Sequence, residues 1–257
     1  MIGFVSLVSG SSGNSSLISD GETTLLIDCG MSGALLKQKL DELEIAPEDI
    51  SAILVTHEHT DHTKGVGIAA RRYGLDIYAT SGTLSNMQAG KIDAHQLHTI
   101  EHDKGFSIGS IDVLPFEIPH DAAEPVGFNL FSGGKKYTLA TDIGFMPDPL
   151  YKRLEGSEYI ILESNHDVQM LKIGSYPPYL KKRILGDYGH MSNDLTAQTV
   201  IRLANSGTKH VMLAHLSNEN NTPEIAEITS RSALCSAGFK DIDLSVAGRY
   251  EISRFAV

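Results

Sequence analysis

The six residues His57-Glu58-His59-Thr60-Asp61-His62 place four potential metal ligands, His57, His59, Asp61 and His62, at very short spacing. His57 and His59 can converge on one cation, and Asp61 and His62 on a second. Imidazole and carboxylate together suit zinc, manganese or iron. A His-rich turn that holds no metal is the other reading. The apolar run Ser51-Ala52-Ile53-Leu54-Val55 precedes the stretch, and Lys64 to Tyr73 follows it, with Val66, Ile68, Ala69 and Ala70 at helical positions. A loop at the carboxyl end of a strand is therefore expected, because rigid flanks let such a loop aim several side chains at one point.

The elements that must position this loop alternate along the chain. Strands are expected at Ile2 to Val8, from Leu17, at Thr23 to Asp28, at Ile77 to Ala79 and along Phe106 to Ile118. Further strands are read at Val126 to Phe131, Lys136 to Ala140, Glu158 to Leu162 and His210 to Ala214. Leu35, Leu36, Leu40 and Leu43 share one face of a helix over Ser32 to Leu43, with Ser32 as its cap. Ser81 to Gln88, Leu195 to Ala204 and Glu224 to Ala237 also read as helices, and Asp243 to Val257 as two strands covering a sheet edge. Strands alternating with helices after an opening β-hairpin point to an α/β protein. The loop Ser9 to Ser16 has amides and hydroxyls that could hold a phosphate, with Ser11, Ser12 and Asn14 as candidates. A flexible hairpin connection is equally open. His95, His98 and His102 lie in a strand-and-turn pattern and read as surface or packing residues.

The chain has 257 residues, enough for one large α/β domain or two small ones, and its 21 basic against 32 acidic residues give a net charge of −11. That excludes a generic basic surface for duplex nucleic acid, although two divalent cations would offset about four charges locally. No apolar stretch approaches the ~18 residues of a membrane span, and the first residues lack a basic leader. A cytoplasmic protein that does not engage membranes is expected, with Cys29 and Cys235 as reduced thiols. Oligomeric state is not legible in the sequence.

His57-x-His59-x-Asp61-His62-x-x-Gly65 resembles the motif of the metallo-β-lactamase fold superfamily. The resemblance implies an α/β four-layer αβ/βα sandwich, with residues 1–257 as a single hydrolase domain. It implies two divalent metal ions, zinc or manganese with iron also accommodated. Beyond the loop it points to His120 as a third imidazole on the first metal, Asp142 as the bridging ligand and His215 as completing the second site. Asp28 would hydrogen-bond from behind the ligands; a structural turn residue is its other reading. Glu163-Ser164-Asn165 and Gly189-His190-Met191-Ser192 look like the acid and histidine of the phosphodiester-cleaving members, tRNase Z and the β-CASP nucleases, though a buried structural pair stays open. Ser192 suits an N-cap and is also a candidate substrate contact. Only 21 residues separate His120 from Asp142 and 26 separate Glu163 from His190, too few for a tRNA-clasping arm or a β-CASP domain. The chain is thus most like the bacterial YycJ/WalJ branch, whose members are proposed to be 5′-to-3′ exonucleases or related phosphodiesterases.

The expectation is a binuclear metal-dependent phosphodiesterase acting on single-stranded DNA or RNA. Hydroxide shared by the metals would attack phosphorus, Asp61 would orient it, and His190 backed by Glu163 would assist the leaving group. The alternatives are a thioester, lactone or small cyclic phosphodiester hydrolase, and a metal-binding module without catalysis. Lys172, Lys181, Lys182 and Arg183, interleaved with Tyr176 and Tyr179, form either a strand-binding edge or a solvated helix face.

Overall fold

The strands of the computed structural model, which describes residues 3–255, belong to two mixed β-sheets flanked by helices, the α/β fold expected from the sequence. Ile2 and the last two residues of the expected tail strand lie outside the described residues. By their contacts the residues divide into two units. One runs to Glu117 and adds Ala122–Gly134 and Gly248–Arg254; the other holds Ile118–Asp121, Lys135–Ala247 and Phe255.

In the first unit, β1 (Gly3–Val8), β2 (Ser15–Ser19) and β3 (Thr24–Ile27) form an antiparallel meander. Helix α1 (Gly33–Glu42) follows, then β4 (Ala52–Leu54), α2 (Thr60–Thr63), α3 (Val66–Tyr73), β5 (Ile77–Thr80), α4 (Ser81–Asn86) and β6 (Leu97–Ile100). Strands β3 to β6 run parallel, with Ile27 beside Leu54 and Leu54 beside Tyr78. Burial on both faces explains the apolar runs of β3 and β4. Ser32 caps α1 by accepting from the Leu35 amide, as its sequence foretold, and Leu36 and Leu40 join Leu17, Leu26 and Ile53 in the core. Truncating either leucine to alanine would cost about 2–5 kcal/mol. The alternating run Phe106 to Ile118 is not one strand but β7 (Phe106–Ile108) and β8 (Ile111–Glu117), reversed at Gly109, whose φ of +54° breaks the run. Strand β9 (Val126–Ser132) pairs antiparallel with β8.

In the second unit, β10 (Lys135–Ala140), β11 (Tyr159–Glu163), β12 (His210–Ala214) and β13 (Asp243–Val246) are all parallel. Ala140 lies beside Leu162, Leu162 beside Leu213 and Leu213 beside Val246. This register brings the carboxyl ends of the strands to one edge. The helices are α5 (Asp148–Leu154), α6 (Val168–Ile173), α7 (Pro178–Ile184), α8 (Asn193–Asn205) and α9 (Pro223–Ser236). Ser192 caps α8 through the Leu195 amide. Back in the first unit, β14 (Ser253–Arg254) covers the edge of β1, the role expected of the tail. Among the described residues no helix is long and apolar enough to cross a membrane.

Candidate active site

The register of β3 and β4 places Asp28 and Thr56 side by side where the two strands end. Asp28 Oδ1 accepts the Thr56 amide at 2.8 Å, and Oδ2 accepts the Thr56 hydroxyl at 2.8 Å and His62 Nδ1 at 2.7 Å. Thr56 Oγ1 in turn lies 3.0 Å from His57 Nδ1. With its own proton committed to Asp28, the hydroxyl accepts from His57. Both imidazoles are thereby fixed as the tautomer whose Nε2 carries the lone pair, the form that binds a cation. Asp28 thus fixes the ring of His62 directly and that of His57 through Thr56.

The expected loop is partly helical. Thr63 Oγ1 donates to the Glu58 and His59 carbonyls, closing the single turn of α2 through Asp61 and His62. Glu58 does not join the ligands, since its carboxylate accepts the Ala123 amide at 2.8 Å. Asn14 is buried, and its amide reaches Asp61 Oδ2 at 3.2 Å and His62 Nε2 at 3.1 Å. Its place is behind Asp61, whereas Ser11 and Ser12 are exposed on the same loop.

His57 Nε2 and His59 Nδ1 face each other at 3.1 Å. Two nitrogen lone pairs at that distance repel unless a proton or cation joins them. Zinc–nitrogen bonds of about 2.0–2.1 Å at tetrahedral angles separate two nitrogens by about 3.3 Å. The pair therefore fits a metal ion.

In the second unit Glu163, Asp142, His190 and His215 offer ligand atoms that all lie within 4.8 Å of one another. Glu163 is fully buried. Its Oε1 accepts His190 Nδ1 at 2.8 Å and His215 Nδ1 at 2.9 Å, and its Oε2 accepts the Ile143 and Met191 amides at 2.8 and 3.0 Å. Burial alone would push this carboxyl up; the charge of His190 and the hydrogen bonds from His190 and His215 outweigh it and hold its pKa well below the usual carboxylate range. The expected Glu163–His190 pair is present, and the same carboxylate also orients His215, which sequence reading missed. Asp142 Oδ1 lies 3.4 Å from His215 Nδ1 and 3.8 Å from His120 Nε2. His120 Nδ1 donates to the Gly189 carbonyl at 3.2 Å, which leaves Nε2 as its lone-pair nitrogen. Burial holds His120 below the usual imidazole range, which favours the neutral ring that a metal ligand requires.

Asp28, Asp142 and His215 share one backbone signature. Their φ values are 58°, 62° and 56°, left-handed conformations in non-glycine residues at the ends of β3, β10 and β12. Each costs of order 1–3 kcal/mol and re-aims a side chain just beyond its strand.

The remaining candidates fall elsewhere. His98 packs on Tyr78 with ring centres 4.5 Å apart, and His102 is exposed 3.7 Å from Asp103, the packing and surface roles expected of them. Of the basic run, Lys181 donates to the Lys172 and Gly174 carbonyls and Arg183 pairs with Asp121. Lys172 and Lys182 remain exposed.

A family model described as β-lactamase superfamily domain matches residues 23–216. The exodeoxyribonuclease WalJ of Streptococcus pneumoniae is 42% identical over 235 residues, covering 90% of this chain and 87% of that protein. The exodeoxyribonuclease YycJ of Bacillus anthracis is 39% identical over 238 residues, covering 92% and 90%. Among solved structures, zinc-bound PqqB from Methylobacterium extorquens aligns with a TM-score of 0.72 at 18% identity over 98% of this chain and 99% of its own. Human tRNase Z, short form, aligns at 0.67 and 16% identity over 99% of both chains. At these identities the structures speak to fold alone, and the two exodeoxyribonucleases speak to descent: the chain belongs to the metallo-β-lactamase fold superfamily.

Proposed function

We propose that the chain is a metal-dependent exodeoxyribonuclease that shortens single-stranded DNA from its 5′ end, working in the cytoplasm as one hydrolase domain over residues 1–257. The observation that carries the reading is the buried Glu163 carboxylate holding His190. A phosphodiesterase needs a proton donor for phosphoryl oxygens and the leaving group; thioester and lactone hydrolysis has little need of it. The names of the relatives in Streptococcus pneumoniae and Bacillus anthracis support DNA over RNA. Both cysteines are free, which suits a reducing compartment.

His57, His59, Asp61, His62, His120, Asp142 and His215 are the proposed ligands for two divalent ions, zinc or manganese, with iron compatible with the same donors. When bound, the cations supply Lewis acidity that activates water and offsets phosphate charge. Asp61, held by Asn14, orients the attacking water. Glu163 fixes the ring of His190 through Nδ1, leaving Nε2 to hydrogen-bond a phosphoryl oxygen and to protonate the departing alkoxide. Ser11, Ser12 and Ser192 are kept as candidate substrate contacts, the Ser192 hydroxyl already accepting the Leu195 amide.

The test is digestion of single-stranded DNA and RNA, labelled at either end, by zinc- or manganese-loaded protein beside the Asp61→Asn variant. Stepwise release from the 5′ end of DNA, slowed at least about 10²-fold in the variant, is the expected result. Turnover of thioesters, lactones or small cyclic phosphodiesters with intact DNA would overturn the reading.

A further inference from the structure

A pocket of about 260 Å³ opens beside the metal loop in the first unit, lined by Ser12, Gly13, Gly30, Ser32, Lys64 and Arg249 over an apolar floor of Val8, Met31 and Leu35. No acidic side chain lines it, in a chain of net charge −11. Among the described residues neither the Lys64 ammonium nor the Arg249 guanidinium makes an ion pair or a hydrogen bond. Arg71, Arg183, Arg202 and Arg231, by contrast, each spend the guanidinium on a carbonyl or a carboxylate. Two cations brought together from distant parts of the sequence without a counter-charge raise the local potential, and an anion lowers it. Arg249 is held there by its backbone, whose carbonyl accepts the Ser9 amide at 3.3 Å.

The walls join the pocket to the hydrolytic loop. The Gly30 amide donates to the Asn14 carbonyl at 2.9 Å, and the Asn14 amide to the Asp61 carbonyl at 2.8 Å. A Cβ on Gly30 would stand 1.7 Å from the Asp61 carbonyl oxygen. An occupant therefore lies directly behind the segment that carries Asp61. The volume is below the roughly 300 Å³ of pockets for drug-sized ligands and accommodates a phosphate with its sugar. Tyr250, 56% exposed on the lining, offers a face on which a neighbouring base can stack.

We propose that this pocket binds a phosphate group of the DNA strand away from the bond being cut, held by Lys64 and Arg249; the inference rests on the nuclease reading and gives it a strand-positioning subsite. The phosphate is either the 5′-terminal monoester or an internal diester.

The experiment measures binding of phosphorothioate oligothymidylate, which resists cleavage, to metal-loaded protein as a function of salt. The double variant Lys64→Ala/Arg249→Ala is compared with wild type and with the charge-keeping Lys64→Arg/Arg249→Lys. Loss of one phosphate contact lowers the salt slope by about 0.7 and the affinity about fivefold at 0.1 M salt. The charge-keeping variant restores both. A loss confined to 5′-phosphorylated strands identifies the terminal monoester, and an equal loss on 5′-hydroxyl strands identifies an internal diester. Identical slopes and affinities in wild type and the alanine variant overturn the pocket, even where the wild type digests ordinary DNA. A slope lost in the alanine variant supports the pocket even where the wild type digests nothing, a result that sinks only the nuclease reading.

Discussion

Glu163 accepts hydrogen bonds from two imidazoles and two backbone amides with no exposure to water, so its charge and both its oxygens are in use. Glu163→Gln keeps the shape but puts an NH₂ where a lone pair was, facing an N–H donor. A 10- to 100-fold loss of metal affinity is expected, because His215 loses its orienting carboxylate. About 1–3 kcal/mol of stability should go with it. Metal titration and urea unfolding read the two effects; unchanged metal affinity would show that Glu163 does not act through His215. The Glu163–His190 pair could be read from sequence, since each residue stands at an element end in a known pattern. That His215 shares the carboxylate could not. It follows from the pairing of Glu163 with Ala214 between parallel strands, a register that no local pattern encodes. His166 was passed over for a related reason: only the fold shows it buried, with neither ring nitrogen hydrogen-bonded. Burial pushes its pKa down to about 4 from 6.5. Between those values the unfolded chain takes up a proton that the folded chain refuses, so stability is full above pH 6.5 and falls as pH drops towards 4. At pH 5 the wild type should have lost about 2 kcal/mol more than His166→Leu, both measured from pH 7 by urea unfolding. Equal losses would mean that His166 is not held neutral.

At the scale of elements, the metal loop depends on backbone packing more than on its own hydrogen bonds. Gly30 lets the turn after β3 touch the Asp61 carbonyl, and a methyl group there would sit 1.7 Å from that oxygen. Gly30→Ala should cost about 1–3 kcal/mol or more and weaken metal binding, because Asp61 and Asn14 must shift together. Gly133 has a φ of +58°, but a methyl group on it would meet nothing within 4 Å. Gly133→Ala should cost about 1 kcal/mol from backbone strain alone and leave metal affinity unchanged. Metal affinity lowered equally in both would show general destabilisation rather than displacement of the loop. Elements with long apolar periods, such as α1, α8 and the parallel strands, were legible because burial of one face or both dictates their pattern. The single turn of α2 was not, since it is closed by the Thr63 hydroxyl and tertiary packing rather than by propensity. Helices α5 and α7 also escaped, although each begins at a proline pair or Pro-Asp step that favours a first turn.

For the whole molecule, the matched family region, residues 23–216, runs through segments of both units, and a single hydrolase domain predicts that the two unfold together. Cooperativity depends on whether either unit is stable when the other unfolds. Bound metal adds to the stability of whatever state holds the ligands: at a free metal concentration about 1,000 times the dissociation constant the gain is about 4 kcal/mol. For a chain of this length that corresponds to about 10 °C in the unfolding midpoint. Scanning calorimetry of the metal-loaded protein should therefore show one transition, moved down by about that amount on chelation. Two transitions, with only one responding to chelator, would mean that the units fold separately and that the metal stabilises one of them. The single-domain reading would then be withdrawn, while the ligand assignment within the responding unit would stand.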